Sequence, residues 1–152
     1  MSARVEHAEL ERLVPHKGSM CLLDSVESWD DVEIRCEARS HHDPAHPLRE
    51  RGRLAAVHLV EYAAQATAVH SGLFERRRGG APRPGLLVAL RDIQLRVARC
   101  DDIAAPLTIL ARRLVSNAGG WLYAFEVKAG ERLLATGRVG VLPSRPTAAQ
   151  RS

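Results

Sequence analysis

The chain has 152 residues, of which 45% are hydrophobic, so it is long enough for one domain with its own core. Its formal net charge is +4 and aromatic residues make up 4%, which is unlike the basic and aromatic pattern of nucleic-acid-binding proteins. No run reaches the roughly 18 apolar residues of a membrane span, and the charged N-terminus does not resemble a signal peptide. We therefore expect neither a nucleic-acid nor a membrane partner.

The cysteines, Cys21, Cys36 and Cys100, are widely spaced. Their spacing matches neither a disulfide framework nor a zinc motif, and it is typical of small buried side chains in a reducing compartment. We expect a cytoplasmic protein with a single domain over residues 1–143 and a flexible C-terminal tail over residues 144–152.

A short helix and two strands are predicted first. Residues 8–13 have an amphipathic pattern that ends before a proline, and residues 20–29 form a strand-like run. After the turn at Asp30-Asp31, residues 32–39 alternate between apolar and charged side chains. This alternation predicts a half-buried antiparallel strand. Its inner face is predicted to carry Val32, Ile34, Cys36 and Ala38.

The stretch over residues 54–74 is the most informative, because its pattern predicts a helix that is apolar around nearly its whole circumference. Such a helix must be covered by protein on most sides. Four strand-like runs follow, over residues 85–99, 107–115, 121–127 and 132–142. This order predicts an α+β fold in which a curved antiparallel sheet wraps one long central helix. Its exposed sheet edges favour a homodimer or a higher oligomer.

Glu61 is an acidic residue within this apolar helix, flanked by Val60 and Tyr62. Because burial disfavours a charged carboxyl, its presence there indicates a group kept for proton chemistry, namely a general acid. His58 and Gln65, three and four residues away, lie on the same side of the helix. The alternative is a structural carboxylate that is bonded to backbone amides or to Gln65.

His46 lies in a polar loop shortly before the helix and is the candidate general base. The alternatives are a solvated loop histidine and His58, which is either another base or an interface residue. The further histidines at 41 and 42 have no strong metal-ligand spacing, so we expect no metal. Exposed backbone amides where residues 52–57 lead into the helix are candidates for polarising a carbonyl and stabilising an oxyanion. Several arginines are candidates for a basic rim or for a solvated face: Arg76, Arg77, Arg78, Arg96, Arg99, Arg112 and Arg113.

Three stretches carry a resemblance to a known family. They are LVPHKGSMCLLDSV, residues 13–26, HPLRERGRLAAVHLVEYAAQA, residues 46–66, and the final four strand-like runs, which match in order and in the placement of their turns. Over about residues 10–142 the chain resembles the hotdog-fold 3-hydroxyacyl-[acyl-carrier-protein] dehydratases. The stretches HHDPAHPLRERGRL and VEYAAQATAVHSGL are similar to a subgroup of this family, some members of which accompany aryl-polyene-type lipid synthesis.

The resemblance implies a hotdog fold and a set of catalytic roles. His46 falls at the family's catalytic histidine and would remove the C2 proton of a 3-hydroxyacyl thioester, while Glu61 would protonate the departing hydroxyl to leave the trans-2-enoyl thioester. In the family these two groups meet across a dimer interface. Four residues are expected to bind substrate, with the first two holding the thioester oxygen through their amides: Ala56, Val57, His58 and Gln65. The resemblance implies no metal or organic cofactor, since the acyl group arrives on the phosphopantetheine of an acyl carrier protein.

The loop around His46 departs from the family pattern. Ala45 replaces the usual glycine, residues 47–49 replace a Phe-Pro-Gly-type sequence, and the spacing from His46 to Glu61 is one residue longer than the common pattern. Two alternatives therefore stay open. One is a hotdog acyl thioesterase, in which a carboxylate activates water. The other is a non-catalytic or half-catalytic subunit that forms a heterodimer with another hotdog subunit.

Overall fold

The computed structural model describes residues 4–10, 12–13, 21–79, 85–117 and 119–143, with only the backbone of residues 85–88 and 143. The described residues contain two α-helices, α1 (His7–Leu10) and α2 (Leu59–Arg77). They also contain seven strands: β1 (Val5–Glu6), β2 (Ser25–Trp29), β3 (Glu33–Ala38), β4 (Gly85–Leu95), β5 (Leu107–Asn117), β6 (Gly120–Ala129) and β7 (Arg132–Pro143). The proposed tail over residues 144–152 lies outside the described residues, so it stays a prediction.

The seven described strands form one antiparallel sheet in the order β1-β2-β3-β5-β6-β7-β4. The long connection between β3 and β4 contains α2, which packs against β3, β5, β6 and β7. This is the α+β arrangement that the sequence predicts. A tight connection joins β5 to β6, where Asn117 pairs with Gly120, and a turn follows Ala129, where Gly130 has a φ of 61°.

Alternating side chains explain how the sheet covers the helix. On β6, the inward residues Trp121, Tyr123, Phe125 and Val127 are buried, as their period of two predicts. On β3, Ile34, Cys36 and Ala38 are buried as well. Val32 is 50% exposed, because it lies in the turn before β3 begins. All three cysteines are buried, and none of them forms a disulfide bond with another described residue.

The central helix begins five residues later than its sequence pattern predicts. Residues 54–56 are extended or in a 3-10 turn because their backbone groups bond to another segment: Cys100 N–H donates to Leu54 O, and Ala56 N–H donates to Ala98 O. The Leu54 N–H donates to Asp101 Oδ1 at 2.9 Å. These long-range bonds leave the backbone unable to start a helix at Leu54.

Two further differences concern the sheet. β1 was not predicted, since two residues give no periodic signal, yet Val5 pairs with Val26. β4 ends at Leu95 instead of Arg99, and a bulge lies where Asp92 has a positive φ of 55°. Leu95, the last residue of β4, is exposed. Among the described helices, none is long and apolar enough to cross a membrane.

Candidate active site

The central helix is covered on most sides but is open along one strip. Glu61, Ala64 and Ala68 are partly exposed, whereas most other residues from Leu59 to Leu73 are buried. Within a single chain Glu61 is therefore only half-buried, and its meeting with a histidine across a subunit interface stays a prediction. The carboxyl lies at the border between the buried core and the open strip, in the first turn of α2.

Gln65 holds Glu61 in one orientation. The buried amide of Gln65 accepts a hydrogen bond from Leu22 N–H through Oε1 at 2.8 Å, and it donates from Nε2 to Glu61 Oε1 at 3.1 Å. Because Leu22 N–H can only donate, the two ends of the amide are assigned without ambiguity. Glu61 Oε1 is thus a hydrogen-bond acceptor.

His46 is only 4% exposed, and both of its ring nitrogens have partners in the chain. Leu48 N–H donates to Nδ1 at 3.1 Å, and Nε2 is 3.1 Å from the hydroxyl of Tyr62. Nδ1 therefore acts as an acceptor, which describes a neutral imidazole with its proton on Nε2. Burial, above all, lowers the pKa of His46 below 6.5, and the neighbouring Arg49 and His58 lower it further.

The hydroxyl of Tyr62, which contacts His46, is also hydrogen-bonded to Ser40. Tyr62 Oη lies 2.6 Å from Ser40 Oγ, and Ser40 Oγ–H donates to Leu22 O at 2.8 Å. The carbonyl and the amide of one residue, Leu22, thus support His46 and Glu61 respectively. Leu22 lies just before β2, within the first segment that carries the family resemblance.

The Arg49 side chain forms hydrogen bonds across the loop that carries His46. Its guanidinium donates from Nη2 to His41 O and from Nη1 to Gly52 O, both at 2.9 Å. These bonds join the beginning and the end of the loop. Arg49 therefore affects His46 in two ways. Its hydrogen bonds stabilise the loop, and its positive charge lowers the pKa of His46.

Only one of the two expected amide donors at the start of the helix is available. Ala56 N–H donates to Ala98 O at 3.0 Å, so the prediction that this amide binds the thioester oxygen is wrong for this structure. Val57 is 53% exposed, and its N–H has no backbone acceptor in the described part of the chain. Donation from Val57 N–H to the thioester oxygen therefore stays a prediction.

His46 and Glu61 are held on different sides of the helix. Tyr62, which contacts His46, follows Glu61 directly, and consecutive residues project about 100° apart around a helix. Within the described residues, the side-chain hydrogen bonds of His46 go to Tyr62 and Leu48. The pairing of His46 with a carboxyl across a subunit interface stays a prediction.

The remaining candidates have structural partners. His41 and His42 both direct Nε2 at Ile103 O, which makes these atoms donors, and no group that could hold a metal ion occurs among the described residues. Several arginines of the supposed basic rim bond within the chain, as expected of a solvated face. Arg76 pairs with Glu9, Arg77 with Asp31, Arg99 with Asp101, and Arg112 with Glu33.

Sequence reasoning missed Tyr62, Ser40 and Arg49. A tyrosine in a buried helix is a usable signal, because its hydroxyl must find a partner. Ser40 and Arg49 gave no such signal, since both lie in a polar loop and their partners are 22 and 8 residues away.

Comparison with solved structures finds the same fold in several proteins. The dehydratase heterocomplex ApeI:P from Xenorhabdus doucetiae aligns at 24% identity over 93% of both chains, with a TM-score of 0.81. An HP0420 homologue from Helicobacter felis aligns at 14% identity over 91% of this chain and 88% of that one, with a TM-score of 0.64. A hypothetical thioesterase with coenzyme A from Streptococcus pneumoniae TIGR4 aligns at 16% identity over 80% and 87%, with a TM-score of 0.55.

These similarities establish the hotdog fold, and no curated protein matches the chain. The ApeP-like family, described as ApeP dehydratase, matches residues 8–151, which is nearly the whole chain. This range includes His46, Glu61 and every residue that supports them. The chain belongs to the ApeP-like dehydratase family.

Proposed function

We propose that this dehydratase removes water from a 3-hydroxyacyl thioester carried on the phosphopantetheine of an acyl carrier protein. The product is the trans-2-enoyl thioester, and the reaction uses no metal or organic cofactor. The pathway is synthesis of an aryl-polyene-type lipid or of a fatty acid, in the cytoplasm. Family membership supports the reaction class, while the substrate and the carrier are our inference.

One observation carries the proposal. A neutral imidazole and a carboxyl, the two groups that dehydration needs, are both fixed in position from Leu22. His46 is linked to Leu22 O through Tyr62 and Ser40, and Glu61 is linked to Leu22 N–H through Gln65. Groups that are held by such supporting bonds require little reorganisation when the substrate binds.

In the proposed reaction, His46 takes the proton from C2 of the substrate. The electron pair of the broken C–H bond moves toward the thioester carbonyl, whose oxygen accepts a hydrogen bond from Val57 N–H. The C3–O bond then breaks as Glu61 of the neighbouring subunit transfers its proton to the hydroxyl, so water leaves and a C2–C3 double bond forms. His46 ends as the cation and Glu61 as the carboxylate, and one proton transfer restores both.

A second hotdog subunit is part of the proposal. The placement of His46 and Glu61 on different sides of α2 favours a site in which each group works with a residue of a neighbouring subunit. One similar protein of known structure is a dehydratase heterocomplex, and the loop around His46 departs from the common dehydratase pattern. A heterodimer with another hotdog subunit is therefore the second candidate beside the homodimer.

The test is an assay with 3-hydroxyacyl-carrier protein, run with the chain alone and with a co-expressed hotdog partner. We expect the enoyl absorbance to rise without release of free thiol. Release of thiol without the enoyl product would instead indicate a thioesterase. Activity that requires the partner would select the heterodimer.

Two substitutions identify the site in that assay. We expect His46→Ala and Glu61→Gln each to lower turnover by about 10²- to 10⁴-fold, the usual contribution of a general base or acid. Matched controls are His42→Ala, in the same loop, and Glu131→Gln, in an exposed turn. Full turnover by both site variants would show that the site is assigned wrongly.

A further inference from the structure

We propose that Tyr62 and Ser40 are positioning residues that set the tautomer and the orientation of His46. They leave its lone pair on Nδ1, which is then the atom that receives the substrate proton. This inference rests on the proposed role of His46 as the base and adds two residues and one specific atom to it. The contacts that carry it run from the active-site loop through α2 to the segment before β2.

The hydrogen bonds from His46 through Tyr62 and Ser40 form a chain that ends at Leu22 O. The direction of every bond in the chain follows from this final acceptor. Leu22 O can only accept, so Ser40 uses its single proton on Leu22. Tyr62 must then donate to Ser40 Oγ, at 2.6 Å. The Tyr62 oxygen is left as an acceptor toward His46, which must donate from Nε2 at 3.1 Å.

The other side of the ring agrees with this assignment. Leu48 N–H donates to Nδ1 at 3.1 Å. A proton on Nδ1 would point at this N–H and repel it. The neutral ring therefore has its proton on Nε2 and its lone pair on Nδ1. When the bond from Leu48 opens, Nδ1 accepts the C2 proton, the C–H electron pair stays with the substrate, and Nε2–H of the resulting cation keeps its acceptor on Tyr62.

A second histidine and tyrosine pair provides a matched control at the far part of α2. His70 donates from Nε2 to Asp30 O at 2.7 Å, so its Nδ1 accepts from the hydroxyl of Tyr123 at 2.6 Å. Here the tyrosine is the donor and the backbone carbonyl sets the tautomer. Tyr123→Phe therefore removes an equivalent buried hydroxyl without acting on His46.

The experiment is nitrogen-15 NMR of the histidine-labelled full chain across a pH series, with the His46 signals assigned by their loss in His46→Gln. We expect the neutral form of His46 to carry its proton on Nε2. In Tyr62→Phe, the cation loses a stronger hydrogen bond than the neutral ring does, so the titration midpoint of His46 falls by about 0.5 to 1.5 pH units. Ser40→Ala shifts it in the same direction, because the freed Tyr62 proton then competes for Nε2.

The control variant and the activity assay distinguish a failure of this inference from a failure of the proposed function. Tyr123→Phe leaves the midpoint of His46 unchanged, while Tyr62→Phe lowers kcat about 10- to 100-fold with little change in KM. A proton on Nδ1 in the neutral wild-type ring, or an unchanged midpoint in both Tyr62→Phe and Ser40→Ala, overturns the proposal. Because NMR needs no substrate, a wild-type chain that shows these signals but gives no dehydration, either by itself or with the co-expressed hotdog partner, contradicts the proposed function and leaves this inference standing.

Discussion

At the scale of single residues, burial and the nearby charge of Arg49 together lower the pKa of His46. The guanidinium spans the loop between His41 O and Gly52 O, and its charge is the second-largest cause, after burial, of the lowered pKa of His46. A general base works only when it is unprotonated. Dehydration is therefore expected to retain full rate down to a pH below 6.5 and to decline as the pH falls through the pKa of His46.

Substitution of Arg49 tests this electrostatic role. Arg49→Gln removes the positive charge, so the pKa of His46 rises and the acid limb of the pH profile of kcat/KM moves to higher pH. Arg49→Lys keeps the charge but not the paired geometry, and we expect its acid limb to stay near that of the wild type. If the two variants shift the limb equally, the hydrogen bonds across the loop, and not the charge, control His46.

At the scale of elements, two glycines of β7 differ in what surrounds them. A Cβ on Gly137 would lie 2.4 Å from Ile93 Cδ1 and 2.9 Å from Phe125 Cε2. Phe125 is the cross-strand partner of Gly137, so its ring covers the glycine. A Cβ on Gly140 would meet only Ala89, with its nearest atom at an ordinary 3.6 Å.

We predict opposite tolerance at these two positions. Gly137→Ala forces Phe125 and Ile93 to move and lowers the free energy of unfolding by about 1–3 kcal/mol, as overpacking usually does. Gly140→Ala, three residues along the same strand, changes it by less than about 0.5 kcal/mol. Urea denaturation of the two variants measures both values. If both variants lost the same free energy of unfolding, the cost would come from replacing any glycine of this strand, and not from the packing of Phe125 and Ile93 on Gly137.

At the scale of the whole molecule, buried histidines couple the fold to pH. Burial lowers the pKa of His41, His46 and His70 below 6.5, and these residues lie in different parts of the structure. In the unfolded chain a histidine regains a pKa of about 6.5. Below that pH the unfolded chain therefore binds more protons than the folded one, and stability falls as the pH decreases.

The free energy of unfolding, measured by urea denaturation, is accordingly expected to be lower at about pH 5 than at about pH 7.5. His70→Gln lowers stability at both values, because it loses the bonds to Asp30 and Tyr123, but it weakens the dependence on pH. An unchanged dependence in that variant would show that His70 does not contribute to it.

The periodicity of the sequence was sufficient to predict the order of the long strands and of the central helix. It was also sufficient to identify Glu61 and Gln65 as neighbours, because residues four apart on a helix always share a side. It misplaced the start of the helix by five residues. The cause is the tertiary bonds of residues 54–56 to the segment around Cys100, which no local pattern encodes.

By itself, the sequence determined the architecture and the family, because strand alternation, helix periodicity and the loop-helix motif are properties of neighbouring residues. Only the tertiary structure decided which groups support His46. Ser40, Tyr62 and Leu22 are far apart in the chain, and their hydrogen bonds exist only after the loop, the helix and the segment before β2 have packed together. The exposure of Glu61 was decided in the same way, since it depends on which side of α2 the sheet leaves open.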